Sequence, residues 1–168
     1  WTKHTNYEQA NRIPIVIVAP GVTKAKSRSQ SLVESVDVYP TLCELAGLPT
    51  PSGPQPIDGR SLVPILKNPT ATVRDHAYHC FPKGKRLGRA IRTERYRLVE
   101  WKPWAAGPES IEYELYDYED DPSETKNLAT ERPAVVAQLK KQLATHRAAQ
   151  PVHDDSQKSA ASPPPSRQ

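Results

Sequence analysis

The first apolar segment of the chain covers residues 13–19 and stops at Pro20 and Gly21. Ile and Val occupy successive positions here, so an extended segment would have no polar face. A strand that is apolar on both faces is typical of the middle of a parallel or mixed sheet covered by helices. Because proline cannot donate to a strand ladder, Pro14 places the start of pairing at about Ile15. The pattern predicts a buried strand with a neighbour on each side.

A helical pattern follows over residues 35–47. Asp37 is a suitable N-cap, Pro40 lies in the first turn, where its missing N–H costs nothing, and Gly47 allows a left-handed stop. The apolar positions at helical spacing are Val38, Leu42, Leu45 and Ala46. They predict a helix that covers the sheet containing the first apolar segment.

Four short segments of strand-like alternation follow a Pro- and Gly-rich crossing at 48–59 and a helical turn at 61–66. They cover residues 76–81, 89–93, 96–101 and 112–118. Segments this short and closely spaced predict a small antiparallel sheet, with 93–95 as a hairpin connection. Alternation places Tyr96 and Leu98 on one face of this sheet and Arg95 and Arg97 on the other.

The last predicted element is a helix that begins at Thr130, after a turn at 120–124. Thr130 is a suitable cap, and Glu131 and Pro133 suit a first turn. The apolar stripe of this helix consists of Val135, Val136, Leu139 and Leu143. We expect the stripe to pack on the small sheet. Beyond Ala149 the chain is rich in Ser, Pro and charge, which predicts a disordered tail.

The chain of 168 residues contains no methionine and begins at Trp1. A buried strand so close to Trp1 needs sheet partners, and we therefore expect the chain to be the C-terminal part of a longer protein. Its longest apolar run is far shorter than the ~20 residues of a membrane span, so none is predicted. The expected organisation is the end of an α/β domain at 1–70, an α+β subdomain at 71–149 and the tail at 150–168.

The two cysteines, Cys43 and Cys80, have neither CxxC spacing nor a nearby pair of histidines, which argues against a zinc site. Cys43 falls on the apolar face of the predicted helix and is expected in the core. A disulfide between the two cysteines stays open.

Five sequence blocks occur in an order that resembles the C-terminal part of a type I sulfatase. They are WTKHTNYEQANRIPIVIVAPG, SLVESVDVYPTLCELAGLP, IDGRSLVPIL, RAIRTERYRLVEW and YELYDYEDDPSETKNLA. The most similar subgroup is that of the iduronate-2-sulfatases. The resemblance implies an α/β, alkaline-phosphatase-like fold whose C-terminal portion ends in a small antiparallel sheet packed by a C-terminal helix. It also implies an extracytoplasmic location, whether periplasmic, secreted or lysosomal.

The chemistry that this resemblance implies is hydrolysis of a sulfate ester by a formylglycine, with Ca2+ and basic side chains holding the sulfate oxygens. Lys3 matches the lysine of the family's Trp-x-Lys segment, which implies that it binds the sulfate group. In the family, the metal-binding carboxylates and the Cys-x-Pro-Ser-Arg motif that yields formylglycine precede this segment. We therefore expect this chain to bind no metal and to be inactive alone.

The stretch CFPKG at 80–84 has the cysteine and proline of that motif, but lysine and glycine replace its serine and arginine. Cys80 is therefore not expected to be a formylglycine precursor. By position the stretch matches a loop that approaches the substrate pocket in the resembled group. We expect His79, Lys83 and Arg86 to contact an anionic sugar there.

Residues 83–97 contain seven Lys or Arg residues and a single acidic residue, Glu94. Three interpretations are open: a groove for a sulfated polysaccharide, a nucleic-acid patch and an ordinary charged hairpin. Aromatic residues that would stack on bases are not interleaved with these charges, and no recognition motif is present. Nucleic acid is therefore not an expected partner.

An acidic group comprises Asp117, Glu119, Asp120 and Asp121. Its position after a strand and before Pro122 favours a capped turn over a metal site. In the resembled family this block is structural, and Asn127 and Leu128 are expected to tie the last helix to the sheet.

These features predict the C-terminal segment of a sulfatase that acts on sulfated carbohydrate, with the missing N-terminal part of the same enzyme as its partner. Two alternatives stay open. The first is a phosphoesterase or phosphonate hydrolase of the same superfamily, with Ser or Thr as the upstream nucleophile. The second is a non-enzymatic carbohydrate-binding module.

Overall fold

The computed structural model describes residues 4–50, 52, 54, 56–104 and 107–147. The helices are α1 (Glu8–Asn11), α2 (Val38–Leu45), α3 (Val63–Lys67) and α4 (Pro133–Leu143), with 3-10 turns at Ser35–Asp37 and Pro108–Ser110. The strands are β1 (Ala77–Lys83), β2 (Arg86–Arg92), β3 (Tyr96–Pro103) and β4 (Glu112–Asp117). The tail expected at 150–168 lies outside the described residues.

The four strands form one antiparallel sheet in the order β1-β2-β3-β4, which confirms the predicted small sheet. A two-residue turn joins β1 to β2, and Gly84 takes the positive φ of 60° that such a turn requires. The predicted connection at 93–95 is also confirmed, since the Thr93 N–H donates to the Tyr96 carbonyl at 2.8 Å. Each strand therefore pairs with its neighbour in sequence.

The two faces of this sheet are covered by different parts of the chain. The helix face bears Ile91, Leu98 and Leu115 and packs against α4. The N-terminal face bears Gly88 and Trp101 and packs against the segment that contains α1. The strands thus separate a hydrophobic core from a more polar layer.

The core on the helix face consists of Ile91, Leu98, Leu115, Leu128, Leu139 and Leu143. Val135 and Val136 pack against it, so the predicted stripe of the last helix lies on the sheet as expected. The predicted start of that helix is wrong by one turn, because α4 begins at Pro133 and its N-cap, Arg132, makes no side-chain cap bond. Thr130 lies in the preceding turn.

The buried strand predicted at 13–19 is not present in this structure. Ile13, Val16 and Val18 are 59%, 85% and 81% exposed, and only Ala19 of this segment is buried. No strand among the described residues pairs with it. A strand forms only where a neighbouring strand can pair with its backbone. The strands β1 to β4 pair with one another, and none of them pairs with residues 13–19.

The helix predicted at 35–47 forms as a 3-10 turn followed by α2, and Gly47 ends it with a φ of 67° as expected. Its predicted apolar face is wrong, because Leu42 is 56% exposed and Ala46 is exposed. The buried positions are instead Pro40, Thr41 and Cys43, which confirms Cys43 as a core residue. The reason is the same as for residues 13–19: the sheet that this face was expected to cover is absent from the described residues.

The carboxylate of Asp37 does not cap α2. Its oxygens accept hydrogen bonds from the backbone N–H groups of Glu34 at 2.7 Å and Arg60 at 2.8 Å. It therefore ties the loop at Arg60 to the start of the helix. Cys43 and Cys80 are both free thiols in the structure, so the disulfide left open by their spacing is not formed.

Asn127 closes the outer edge of β4. Its side-chain oxygen accepts from the Leu115 N–H at 2.9 Å, and its amide nitrogen donates to the Tyr113 carbonyl at 3.2 Å. The Leu128 N–H donates to the Leu115 carbonyl at 2.8 Å. Asn127 and Leu128 therefore tie the last helix to the sheet, as expected, and protect an edge that would otherwise expose unpaired backbone groups.

We expect Asn127→Ala to lower the free energy of unfolding by about 0.5–1.5 kcal/mol, because two backbone groups of β4 lose their hydrogen-bond partner at a position where water can replace only part of the interaction. Urea unfolding followed by circular dichroism measures this. Thr130→Ala is the control, since this exposed residue of the neighbouring turn should change stability by less than about 0.5 kcal/mol. Equal urea midpoints for both variants would contradict the assigned role of Asn127.

Candidate functional site

Strand alternation brings the three predicted sugar-contacting residues onto one face of the sheet. His79 and Lys83 are four positions apart on β1, and Lys83 pairs with Arg86 at the start of β2. Residues an even number apart on a strand share a face, and so do directly opposed residues of paired strands. Phe81, which pairs with Gly88, lies between them, so all belong to the N-terminal face.

The segment that follows Lys3 packs across this face. Lys3 itself lies outside the described residues, so its contact with sulfate stays a prediction. His4 meets the Phe81 ring edge-on with 5.8 Å between ring centroids, and Tyr7 meets Tyr116 edge-on at 5.9 Å. The described chain therefore begins beside the strand that carries His79.

Asn6 is the most deeply buried residue of this segment, at 1% exposed. Its carbonyl accepts from Arg97 Nη1 at 2.6 Å, and its amide nitrogen lies against Gly88, as does the Trp101 ring. A Cβ at position 88 would overlap both groups, so glycine there makes room for Asn6. Within the described ranges, neither amide atom of Asn6 has a hydrogen-bond partner.

His79 supplies another such polar atom on the same face, because its Nε2 is buried and unpartnered among the described residues. Burial and the positive charge of Arg97 hold the pKa of His79 below its usual value, although a hydrogen bond to the Thr5 backbone opposes them. The ring is therefore neutral at neutral pH. Buried polar atoms are nearly always paired in folded proteins, so these atoms are unusual among the described residues of this face.

Two cations stand at the hairpin end of this face, close to the Trp101 ring. Lys83 Nζ and Arg86 Cζ lie 5.9 and 5.0 Å from its centroid. Trp101 Nε1 donates to Glu114 at 3.0 Å, which holds the ring in place. Arg86 also pairs with the exposed Glu112 at 2.7 Å. The arrangement is suited to an anionic ligand, because it presents positive charge on a rigid aromatic support.

A buried ion network attaches the N-terminal segment to the sheet. Arg97, whose side chain is 2% exposed, donates to the Tyr118 hydroxyl at 2.7 Å and pairs with Glu124 at 2.8 Å and with Glu8. Arg92 pairs with Glu8 as well, at 3.2 Å. Burial alone would raise the pKa of Glu8, but the two arginines hold it below the usual value. This network fixes α1 on the N-terminal face of the sheet.

Most of the basic residues at 83–97 have carboxylate partners. The pairs are Arg86–Glu112, Arg89–Glu100, Arg92–Glu8, Arg95–Asp117 and Arg97–Glu124. Lys83 and Lys85 have no such partner in the described part of the chain. The positive charge is therefore confined to the hairpin turn, which favours a charged hairpin over a continuous polysaccharide groove or nucleic-acid patch.

The acidic group spans the end of β4 and the turn that follows it. Asp117 is fully buried, accepts from Arg95 at 2.9 and 2.8 Å and from Arg132 at 2.5 Å, and the Arg95 hydrogen bonds hold its pKa below the usual value. Asp121 accepts from the backbone N–H groups of Thr125 and Lys126 at 2.6 and 2.9 Å. Throughout the described ranges, no three His, Cys, Asp or Glu residues are grouped to hold a metal ion.

Cys80 lies on the opposite face of β1 from His79, because adjacent residues of a strand point to opposite sides. Burial raises the pKa of its thiol above the usual value, although a hydrogen bond with Tyr78 and the charge of Arg89 oppose this. The thiol is therefore protonated at neutral pH and is no activated nucleophile.

The sequence alone did not indicate His4, Asn6 or Arg97 as residues of this site. His4 and Asn6 follow Lys3 within the opening block, and that proximity was the available signal. Arg97 was placed on the correct face by strand alternation, but its contact with Asn6 joins residues 91 positions apart, which no local pattern reveals.

Residues 1–149 match the family model described as N-sulphoglucosamine sulphohydrolase, C-terminal. Arylsulfatase K of Rattus norvegicus is 32% identical over 146 residues, which cover 84% of this chain and 25% of that protein. The chain therefore spans about a quarter of the length of the curated relatives it matches.

Solved structures show the same fold. A protein in complex with its substrate D-glucosamine-2-N,6-O-disulfate is 29% identical, with a TM-score of 0.63 over 75% of this chain and 26% of that chain. The phosphonate monoester hydrolase of Agrobacterium radiobacter is 25% identical, with a TM-score of 0.54 over 67% of this chain and 24% of that chain. The predicted alkaline-phosphatase-like fold is confirmed, with the small sheet and α4 as its C-terminal portion.

The predicted resemblance to sulfatases is thus confirmed at the level of the family, while the iduronate-2-sulfatase subgroup stays a prediction. Among the helices that the structure describes, none has the length and apolarity needed to cross a membrane. From the match over nearly all of its described length, the chain belongs to the sulfatase family, as a C-terminal domain of the N-sulphoglucosamine sulphohydrolase type.

Proposed function

We propose that this chain is the substrate-facing C-terminal part of a sulfuric ester hydrolase that acts on sulfated carbohydrate. The observation that supports this most is the placement of Lys83, Arg86 and the neutral His79 on one face, beside the segment that follows Lys3. Cations suit the oxygens of a sulfate group, and a neutral imidazole suits a sugar hydroxyl. A related protein was solved with a disulfated glucosamine as its substrate, which is consistent with this chemistry.

Each residue has its own proposed role. Lys3 binds the sulfate group that is removed, as the family resemblance implies. Lys83 and Arg86 bind anionic groups elsewhere on the substrate, and both cations lie against the Trp101 ring. The Nε2 of His79 has no hydrogen-bond partner among the described residues, and its proposed partner is a hydroxyl group of the sugar.

The described residues do not fit a calcium site, since none of their acidic or histidine side chains are grouped to form one. We therefore derive no catalytic step through a metal ion from this chain. The Ca2+ ligands and the formylglycine of the family are proposed to lie in parts of the enzyme outside this chain, which makes the chain inactive alone.

The same proposal accounts for the exposed apolar segment at 13–19. Val16 and Val18 are 85% and 81% exposed, and we propose that the segment pairs with strands of the main domain outside this chain. Residues 1–70 then belong to that domain, and 71–149 form the C-terminal subdomain. The extracytoplasmic location and the iduronate-2-sulfatase assignment rest on the family resemblance and on the five sequence blocks.

Substrate contact is tested by titrating the 15N-labelled chain with D-glucosamine-2-N,6-O-disulfate at low ionic strength. The expected NMR shift changes lie at His79, Lys83 and Arg86. Lys83→Ala is expected to raise Kd about tenfold, the loss of one charge-assisted hydrogen bond of about 1.5 kcal/mol. Lys141→Ala, an exposed lysine of α4, removes the same charge and is expected to leave Kd unchanged. Equal weakening by both substitutions would contradict a specific site.

The reaction class is tested by reading the coding region that precedes Trp1. A Cys-x-Pro-Ser-Arg motif supports the sulfatase, whereas a Ser or Thr nucleophile supports the phosphonate or phosphate ester hydrolase, whose fold the chain shares. Hydrolysis of an aryl sulfate by the 168-residue chain with added Ca2+ would show that the nucleophile has been wrongly placed. Tight, salt-sensitive heparin binding by the chain alone would favour the carbohydrate-binding module.

A further inference from the structure

Two histidines that are distant in sequence meet on the helix face. His76 directly precedes β1, and His146 lies three residues beyond the end of α4. Their Nε2 atoms are 2.7 Å apart, and their rings meet edge-on with 5.0 Å between centroids. The contact joins the end of the last helix to the start of an edge strand.

Both rings are held in position by other groups. His76 Nδ1 lies 2.8 Å from a carboxylate oxygen of Asp75, and since a carboxylate only accepts, this nitrogen carries a proton. The His146 ring stacks on Tyr78 at 4.1 Å between centroids and 10° between planes. Gln142, in the last turn of α4, donates to the other Asp75 oxygen at 3.4 Å. Contacts with Asp75, Tyr78 and Gln142 therefore hold both rings in place between α4 and β1.

The short distance between the Nε2 atoms limits the pair to one shared proton. One nitrogen donates and the other accepts through its lone pair. If both nitrogens carried protons, two hydrogens would be directed at each other and two positive rings would stand in contact. The docked arrangement thus excludes the doubly protonated pair.

We propose that His76 and His146 form a pH-dependent latch that docks the C-terminal end of α4 on the start of β1 and opens when both imidazoles are protonated. The proposal uses only residues of the helix face. It is therefore independent of the proposed substrate site on the N-terminal face.

The charges around the latch favour opening at acid pH. The titratable and charged groups around it are Asp75, Arg74, Arg60 and Asp58 from the loops, Tyr78 from β1 and Arg89 from β2. Burial, His76 and two of these arginines, Arg89 and Arg74, lower the pKa of His146 below its usual value, and Asp58 opposes them. Because the unfolded value is about 6.5, the stability that the latch contributes is complete above that pH and is lost as pH falls through the lower folded value.

Amide hydrogen exchange of the 168-residue chain between pH 8 and pH 5 tests the latch. The reporters are the N–H groups of Ala144 and His146, which donate to Lys140 and Leu143 at the end of α4. After correction for intrinsic exchange, their protection is expected to fall about tenfold per unit of pKa difference. The Val136 N–H, in the first turn of α4, is expected to keep its protection.

Two substitutions separate titration from packing. His146→Phe keeps an aromatic ring for Tyr78 but cannot bind a proton, so the pH-dependent loss of protection is expected to disappear. His146→Lys carries a fixed charge and is expected to expose the reporters already at pH 8. His4→Phe, on the other face, should retain the wild-type pH step. Equal protection of the wild type at both pH values, or an unchanged step in His146→Phe, would overturn the latch, even if His146→Lys does not fold.

Discussion

Arg97→Met is expected to lower the free energy of unfolding by about 3–5 kcal/mol, because it leaves the buried carboxylate of Glu124 without a counter-charge. The Arg97 and Glu124 side chains are 2% and 3% exposed, and Arg97 also pairs with Glu8 and donates to the Asn6 carbonyl. Replacing one member of such a network costs more than the network contributes in total, since the remaining charges cannot recover their water. Urea unfolding measures the loss.

Local exchange should show where this loss begins. The Arg12 N–H, which donates to the Glu8 carbonyl at 2.8 Å, is expected to lose protection in Arg97→Met before the amides of β3 do. The N-terminal segment would then be released from its face while the hydrophobic core on the helix face persists. This release would also displace the chain that leads to Lys3.

Arg86→Met is the matched control for Arg97→Met. It removes the same charge from the same sheet, but the Arg86–Glu112 pair is 38% and 70% exposed. Such a pair contributes less than about 1 kcal/mol, because water screens it. A similar loss of stability in both variants would show that the buried network has no special role.

Leu139→Ala is expected to cost about 2–5 kcal/mol, the usual range for removing a large aliphatic side chain from a packed core. Leu139 is 3% exposed and lies in the cluster that joins α4 to the sheet. Its loss should weaken the docking of the whole helix and lower the urea midpoint without changing the secondary structure of the sheet.

The control for Leu139→Ala is Gln138→Ala, one position earlier on the exposed side of the same helix. Alanine is at least as good a helix former as glutamine, so this change should alter stability by less than about 0.5 kcal/mol. A loss below about 1 kcal/mol in Leu139→Ala would mean that α4 is only loosely attached to the sheet.

The charged hairpin bears on how a sulfated sugar would be recognised. Five arginines at 83–97 form ion pairs with carboxylates of this chain. Among the described residues, the unpaired positive charges of this stretch are Lys83 and Lys85, at the hairpin turn, and Lys83 lies near Trp101. A small anionic sugar needs few cations, whereas a long polyanion needs a continuous row of them. The distribution of charge therefore suits the first kind of ligand better.

The elements that sequence patterns predicted well are those whose partners lie nearby in the chain. The strands of the small sheet pair in sequence order, so alternation and turn residues suffice to place them. The apolar stripe of α4 is likewise buried by a single surface, the helix face of this sheet. Residues 13–19 and the apolar face of α2 were placed wrongly, since their burial depends on a surface that the described residues do not provide.

Motif order, the two-residue period of strands and the helical spacing of apolar residues were enough to predict the family, the small antiparallel sheet and the packing of its last helix. That His79, Lys83 and Arg86 share one face of the sheet was seen only in the folded structure, because β1 and β2 extend further than their sequence patterns indicate. The tertiary structure alone decided that Arg97 holds the N-terminal segment, that Asn6 fits against Gly88 and that His76 meets His146. All three contacts join residues 70 to 91 positions apart. Only the folded backbone brings such residues together, and no local pattern records that they meet.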